Sequence, residues 1–149
     1  MEAVGVVIGS TAGERITLKP LVRAHADATD YWDGNWIECA VAVTAGGFRG
    51  EYLDSLHAEE FVSFRRDLER LYQELRGRGQ FRSMKEWVTI DLSGDGRGHF
   101  IGVCRLRDRA GNGNVPECEV AFDQTHLPGM LDDLRRIEAV FPVVGNPAG

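Results

Sequence analysis

Residues 36–52, WIECAVAVTAGGFRGEY, contain two alternating segments separated by a pair of glycines. Between 36 and 44 the odd positions are apolar and the even positions are mostly small or polar, a period typical of a half-buried strand. Gly46 and Gly47 indicate a tight turn, after which the apolar residues of 48–52 fall again on one face. This stretch predicts an antiparallel β-hairpin.

Two segments that follow the hairpin have helical periodicity. Residues 57–76 carry apolar side chains at steps of three and four, with charged residues between them, which predicts an amphipathic helix. We expect Gly77 to terminate it. Residues 125–138 repeat the pattern, with Asp123 placed to cap the helix and Pro128 in its first turn, where a missing N–H is tolerated.

The remaining strands are predicted from short alternating or apolar runs, at 4–8, 15–21, 80–83, 86–92, 99–107 and 115–122. Consecutive strands are joined by short turns, so we expect antiparallel pairing. The order βββ-α-βββ(β)-α predicts an α+β fold, a single two-layer domain with one antiparallel sheet of about 6–7 strands and two helices. The length predicts one domain over 1–149, with a lead-in at 1–14 and a tail at 141–149 as its less ordered ends.

Charge and cysteine content narrow the class of protein. The formal net charge is −6, from 17 basic and 23 acidic residues, which disfavours direct nucleic-acid binding. The N-terminus lacks the basic and apolar regions of a signal peptide, and we find no apolar run of the ~20 residues that span a membrane. Cys39, Cys104 and Cys118 show no paired spacing, so we expect reduced, buried thiols and a cytoplasmic protein.

The segment at 30–36, DYWDGNW, is the main candidate for function. It holds two of the three Trp residues beside two Asp, an Asn and a Gly, within a predicted irregular connection at 22–35. Exposed aromatic side chains in loops are typical anchors of protein interfaces. The segment therefore either closes the rim of the core or faces another molecule. The predicted partner-binding residues are Asp30, Tyr31, Trp32, Asp33 and Asn35, with Glu51, Glu117 and Glu119 as possible additions.

No metal or cofactor site is predicted. The run Asp91–Gly96 starts like a calcium loop, but its twelfth position is Gly102 and not the required Glu. The glycines at 94, 96 and 98 do not fit a dinucleotide-binding motif and precede a strand. The four histidines lack the spacing of zinc ligands.

Catalytic motifs are also missing from the sequence. No Ser lies in a G-x-S-x-G elbow, and the paired carboxylates on the predicted helices belong to solvated faces. Asp30 and Asp33, which lie beside aromatic residues, are the pair that could act as acid and base in a hydrolase. We predict a non-enzymatic binding protein and keep the hydrolase as an alternative.

Several motifs together resemble the WapI-like immunity proteins, a family of small bacterial proteins. The similarity runs from about residue 15 to residue 138 and rests on DYWDGNW at 30–36, GGF at 46–48, AEEF at 58–61, GDGRGH at 94–99 and DQTHLP at 123–128. The resemblance implies a cytoplasmic, non-enzymatic inhibitor that neutralises the toxin domain of a contact-dependent toxin. A basic nuclease would complement the negative charge of this chain.

Two other functions stay open on the sequence alone. The aromatic segment could be a stacking platform for a sugar or another small molecule, or the chain could be an uncharacterised structural domain. The sequence is compatible with a monomer or with a homodimer formed through an exposed strand edge.

Overall fold

The chain folds into two antiparallel sheets of four strands each, and within each sheet the strands follow chain order. This computed structural model describes residues 3–109 and 111–148. The first sheet, sheet A, contains β1 (Val6–Gly9), β2 (Arg15–Arg23), β3 (Trp36–Ala45) and β4 (Phe48–His57). The second, sheet B, contains β5 (Arg76–Arg82), β6 (Val88–Asp95), β7 (His99–Leu106) and β8 (Glu117–Asp123). The helices in the described ranges are α1 (Tyr31–Gly34), α2 (Ala58–Glu74) and α3 (Leu127–Val140), and a 3₁₀ turn at Gln124–His126 precedes α3.

The α+β class and the antiparallel pairing are confirmed, but the single sheet of 6–7 strands with two helices is wrong. Helix α2 connects the two groups of strands and lies along β5, so that β5 cannot continue sheet A. The Asp67 carboxylate on α2 accepts a hydrogen bond from the Gln80 N–H at 2.9 Å. The Arg70 guanidinium donates to the Arg78 carbonyl oxygen. Side chains of α2 thereby satisfy backbone groups on the outer edge of β5 and end sheet B there.

The predicted hairpin is confirmed as β3 and β4. Ala45 pairs with Phe48 at the turn, and Trp36 pairs with His57 at the opposite end. Gly46 has a φ of 58°, in the left-handed region that suits the first turn residue of a two-residue hairpin. The segment 22–35, expected to be irregular, contains the end of β2 and the single turn of α1.

Both predicted helices exist, with shifted ends. Helix α2 ends one residue before Leu75, which adopts the left-handed conformation with φ 61° and donates its N–H to the Leu71 carbonyl at 2.8 Å. The expected terminator, Gly77, lies instead in β5. Helix α3 begins at Leu127 because the preceding residues form the 3₁₀ turn, which Asp123 caps by accepting from the Thr125 N–H at 2.9 Å.

The core includes the inward faces of both sheets and the apolar stripes of α2 and α3. Phe81 of β5 lies between two α2 rings, with centroids 5.4 Å from Phe61 and 5.6 Å from Phe64. Both ends of the chain contribute, since the lead-in forms β1 and Phe141 in the tail is buried. Cys39 and Cys104 are buried free thiols, whereas Cys118 is half-buried.

Candidate functional site

The DYWDGNW segment folds into the one-turn helix α1. The Asp30 side chain caps it by accepting from the Asp33 N–H at 3.1 Å, and the Gly34 N–H donates to the Asp30 carbonyl at 2.9 Å. Gly34 is buried, and a Cβ there would lie 2.8 Å from both the Ala28 carbonyl oxygen and a Val144 methyl group. Glycine is therefore required by close packing at this point.

Asn35 fixes α1 to the C-terminal tail. Its side-chain nitrogen donates to the Tyr31 and Val144 carbonyls at 2.8 Å each, and its side-chain oxygen accepts from the Val144 N–H at 2.8 Å. The Asn35 backbone carbonyl accepts from the Ala58 N–H at 2.8 Å, where α2 begins. Asn35 is fully buried, so its place is beneath the expected binding surface and not on it.

The tail is held from a second direction by Arg23 at the end of β2. Its guanidinium donates to the Gly34 carbonyl at 2.6 Å and to the Pro142 carbonyl, and lies 6.0 Å from the centroid of the Phe141 ring. These contacts give the first residues of the tail a structural role beneath α1.

Four aromatic rings form a chain from solvent to interior. Trp32 meets Tyr31 edge to face with ring centroids 5.0 Å apart, and Tyr31 lies 4.9 Å from the His57 ring. The His57 ring in turn lies 5.2 Å from Trp36. The outer member, Trp32, is 54% exposed, whereas His57 is fully buried. Trp32 is thus an exposed indole supported by rings behind it, and Trp36 belongs to that support.

His57 links the aromatic chain to α2. Its Nδ1 accepts from the Glu59 N–H at 3.2 Å, which leaves the proton of the neutral ring on Nε2, facing the Tyr31 carbonyl at 3.2 Å. Burial lowers the pKa of this imidazole, consistent with the neutral form. Glu60 completes the capping box by accepting from the His57 N–H at 2.7 Å.

An acidic cleft of about 220 Å³ lies beside Tyr31. Its charged lining is three carboxylates, Glu59, Glu60 and Asp67, against the single guanidinium of Arg82. Burial raises the pKa of Glu60 to about 7, even though its carboxylate accepts from the His57 N–H and from the Met84 N–H at 2.6 Å.

Sequence reasoning missed Asp54, a buried carboxylate in β4. It is 6% exposed, and neither of its oxygens has a hydrogen-bond partner among the described residues. Burial raises its pKa to about 7, with a further contribution from the negative charge of Glu60. The alternation of β4 was the signal that could have found it, because Asp54 falls on the same inward face as Tyr52 and Leu56.

The structure brings together only part of the expected surface. Asp30, Trp32 and Asp33 are exposed around α1, and Tyr31 is half-buried between Trp32 and the cleft. Glu51 lies six residues before His57 on β4, about 20 Å away along a strand. Glu117 and Glu119 are exposed on β8, in the other sheet.

The run Asp91–Gly96, which only begins like a calcium loop, covers the end of β6 and the first residue of the turn that leads to β7. The Asp95 carboxylate accepts from the Arg97 N–H at 2.7 Å and the His99 N–H at 3.1 Å, which holds its pKa below the usual value. Within 3–109 and 111–148, no three His, Cys, Asp or Glu side chains are grouped so that they could hold a metal ion. No helix in these ranges is long and apolar enough to cross a membrane.

The chain was compared with curated proteins, with solved structures and with profiles of protein families. No curated protein matches the chain. One similar solved structure is that of the plant transcriptional regulator PBF-2, at 14% identity and a TM-score of 0.48, covering 97% of this chain and 83% of the other. The profile of the Immunity protein WapI-like family matches residues 7–142, so it includes both sheets, α1 and the acidic cleft. The chain belongs to the Immunity protein WapI-like family.

Proposed function

We propose that this protein is a cytoplasmic, non-enzymatic inhibitor that binds and neutralises a bacterial toxin domain through α1 and the adjoining acidic cleft. Family membership gives the general immunity-type role. The observation that carries the proposed surface is Trp32, an indole that is 54% exposed on a segment held rigidly from below. A large exposed ring on a fixed backbone can insert into a partner with little loss of conformational freedom.

The charge around Trp32 indicates the kind of toxin surface. Asp30 and Asp33 are exposed on α1, and the neighbouring cleft carries three carboxylates against Arg82. A basic patch on the toxin, as on a nuclease, would complement this region and accelerate encounter. The aromatic anchor would supply affinity, and the surrounding acidic groups would supply orientation.

A larger depression of about 610 Å³ on the outer face of sheet A is less suited to this role. Its charged lining mixes Arg15 and Arg49 with Glu51, and it contains no aromatic side chain. It offers no aromatic anchor, and its charged lining is predominantly basic, so it would not complement a basic toxin surface.

The test compares three versions of the protein: wild type, Trp32→Ala and Tyr72→Ala. Tyr72 is the matched control, an aromatic residue 43% exposed on α2. Each is used as bait in a lysate of the native cells and of competing strains, and captured proteins are identified by mass spectrometry. The captured toxin domain is then produced in growing cells with each version.

We expect wild type and Tyr72→Ala to restore growth and Trp32→Ala to fail, with all three retaining the same circular dichroism spectrum. Equal protection by Trp32→Ala would move the interface away from α1. A captured partner that is not toxic would contradict the inhibitor function itself.

A further inference from the structure

Strand β4 is a long open edge of sheet A. It has ten residues and is the last strand of that sheet, paired within the described ranges with β3 alone. The other three edges differ: β1 has four residues, β8 has seven, and the edge of β5 is closed by α2 side chains.

Backbone geometry shows which groups β4 presents to solvent. In a two-residue hairpin the pair that closes the turn, here Ala45 and Phe48, exchanges hydrogen bonds, and every second pair after it does the same. Phe48, Gly50 and Tyr52 therefore bond to β3. The N–H and C=O groups of the alternate residues, from Arg49 to Ser55, point to the open edge.

Of the devices that protect edge strands, β4 has the charged side chains of Arg49 and Glu51 and the inward carboxylate of Asp54, but it lacks the others. The strand contains no proline or lysine, and its register with β3 is continuous from one end to the other. Two of its apolar residues are strongly exposed, Phe48 at 82% and Leu53 at 70%. Exposed apolar groups beside free backbone groups form a template for another strand.

We propose that residues 48–52 of β4 pair antiparallel with the same residues of a second copy of this chain, centred on Gly50, which joins two copies of sheet A edge to edge into one eight-stranded sheet. Leu53 lies just beyond the paired residues, next to the hairpin turn of the partner subunit. In this register Arg49 faces Glu51 of the partner subunit, and the two-fold symmetry repeats the contact, giving two opposite-charge pairs. On the other side of the sheet from these charged pairs, Phe48 lies opposite Tyr52 of the partner subunit. Cross-strand pairs of both kinds stabilise antiparallel sheets.

The charge pattern selects this register over its neighbours. Centring the pairing on Glu51 would place two Glu51 carboxylates directly opposite each other, and like charges there are destabilising. Centring it on Tyr52 would place Glu51 opposite a leucine and Arg49 opposite a serine. Only the register about Gly50 makes the strand complementary to itself in both charge and aromatic contacts.

This association is independent of toxin binding. Gly50 lies seven residues before His57 on β4, about 24 Å along the strand from the aromatic chain at α1. The dimer therefore leaves Trp32 accessible on each copy, and each hypothesis can fail without the other.

The experiment is sedimentation equilibrium on the purified full chain over a wide concentration range, with wild type, Arg49→Glu, Glu51→Arg and the double variant. Wild type should dimerise reversibly. Each single reversal places like charges opposite each other and should raise the dissociation constant at least about tenfold, whereas the double variant restores the complementary pairs and should recover association.

Two controls separate the edge from the rest of the surface. Glu119→Arg reverses a charge on β8 and should dimerise like wild type, as should Trp32→Ala. Circular dichroism confirms that each variant is folded. A monomeric wild type at all concentrations overturns the proposal, as do single reversals that dimerise normally or a double variant that stays monomeric. If the edge of β4 binds a toxin instead of a second copy, the purified wild type will be monomeric at all concentrations.

Discussion

The Asn35 side chain pairs with the backbone of Val144, 109 residues further along the chain, through two hydrogen bonds of 2.8 Å. An amide group here takes the role of a neighbouring strand, donating to the carbonyl and accepting from the N–H of the same residue. The C-terminal tail around Val144 therefore packs directly beneath α1 and supports it.

Replacing Asn35 should destabilise the protein. In Asn35→Ala the half-buried N–H and C=O of Val144 lose the Asn35 side chain, and the Tyr31 carbonyl keeps only its contact with His57 Nε2, so the free energy of unfolding should fall by about 1–3 kcal/mol. Urea denaturation measures the change. Asn146→Ala is the control, because Asn146 is exposed in the same tail. Equal stability of the two variants would contradict a structural role for Asn35.

Two glycine replacements should act in opposite directions. Gly34→Ala places a Cβ 2.8 Å from the Ala28 carbonyl oxygen and from a Val144 methyl group, so it should lower the melting temperature. Gly129→Ala, in α3, meets no atom within 4 Å and should raise the free energy of unfolding by about 0.5–1 kcal/mol, because alanine favours a helix. Calorimetry of both variants checks the contrast. A tolerated Gly34→Ala would show that α1 is less tightly packed against the tail.

Asp54 should make stability depend on pH. Its pKa is about 7 in the folded protein and 3.8 when unperturbed, so between these values the unfolded chain ionises first and the free energy of unfolding falls as pH rises. Above about pH 7 the Asp54 carboxyl is ionised in both the folded and the unfolded chain, so its contribution to the pH dependence ends there. Each pKa unit between the two states corresponds to about 1.4 kcal/mol in the free energy of unfolding.

Asp54→Asn removes this ionisation. The variant should be more stable than wild type at pH 8 and should show a shallower decline between pH 4 and 7. Some slope should persist, because burial also raises the pKa of Glu60 to about 7. Urea titrations at a series of pH values provide the measurement, and parallel curves for the two proteins would refute the assignment.

The two tryptophans of the DYWDGNW segment should separate stability from binding. Trp36 is half-buried, packs against His57 and carries the Lys85 ammonium 5.3 Å from its ring centroid, so Trp36→Ala should cost about 1–3 kcal/mol of stability. Trp32 is 54% exposed, and Trp32→Ala should cost less than about 1 kcal/mol. Thermal unfolding of both variants measures the difference. A larger loss for Trp32→Ala would place its indole in the core.

Local periodicity was sufficient for much of the fold. The alternation of β3 and β4 and the three-and-four spacing of α2 are properties of neighbouring residues. The ends of β3 and α2 were predicted to within two positions, whereas β4 continues five residues beyond its predicted end at residue 52. Division into two sheets depends on contacts between distant segments. The close approach of α2 to β5 needs Gly79, where a Cβ would lie 2.8 Å from a Leu71 methyl group.

The candidate site shows the same division. The aromatic and acidic character of the segment around α1 is visible in seven consecutive residues, and Trp32 among them is 54% exposed. The burial of Asn35 was not predictable, because its partner lies at Val144 and nothing local distinguishes it from a turn residue. Asp54 was hidden for a different reason: a carboxylate on an inward strand face contradicts the usual pattern of burial.

The contact between Asn35 and Val144 also means that α1 can reach its final support only late in synthesis of the chain on the ribosome. Translation proceeds at about 5–20 residues per second, so roughly 5–20 s separate the synthesis of these two residues. During that interval the α1 segment has been synthesised but the Val144 segment that supports it has not, whether or not sheet A has already formed. A nascent chain interrupted before residue 144 would carry the whole DYWDGNW sequence and still lack the support that holds Trp32 in position.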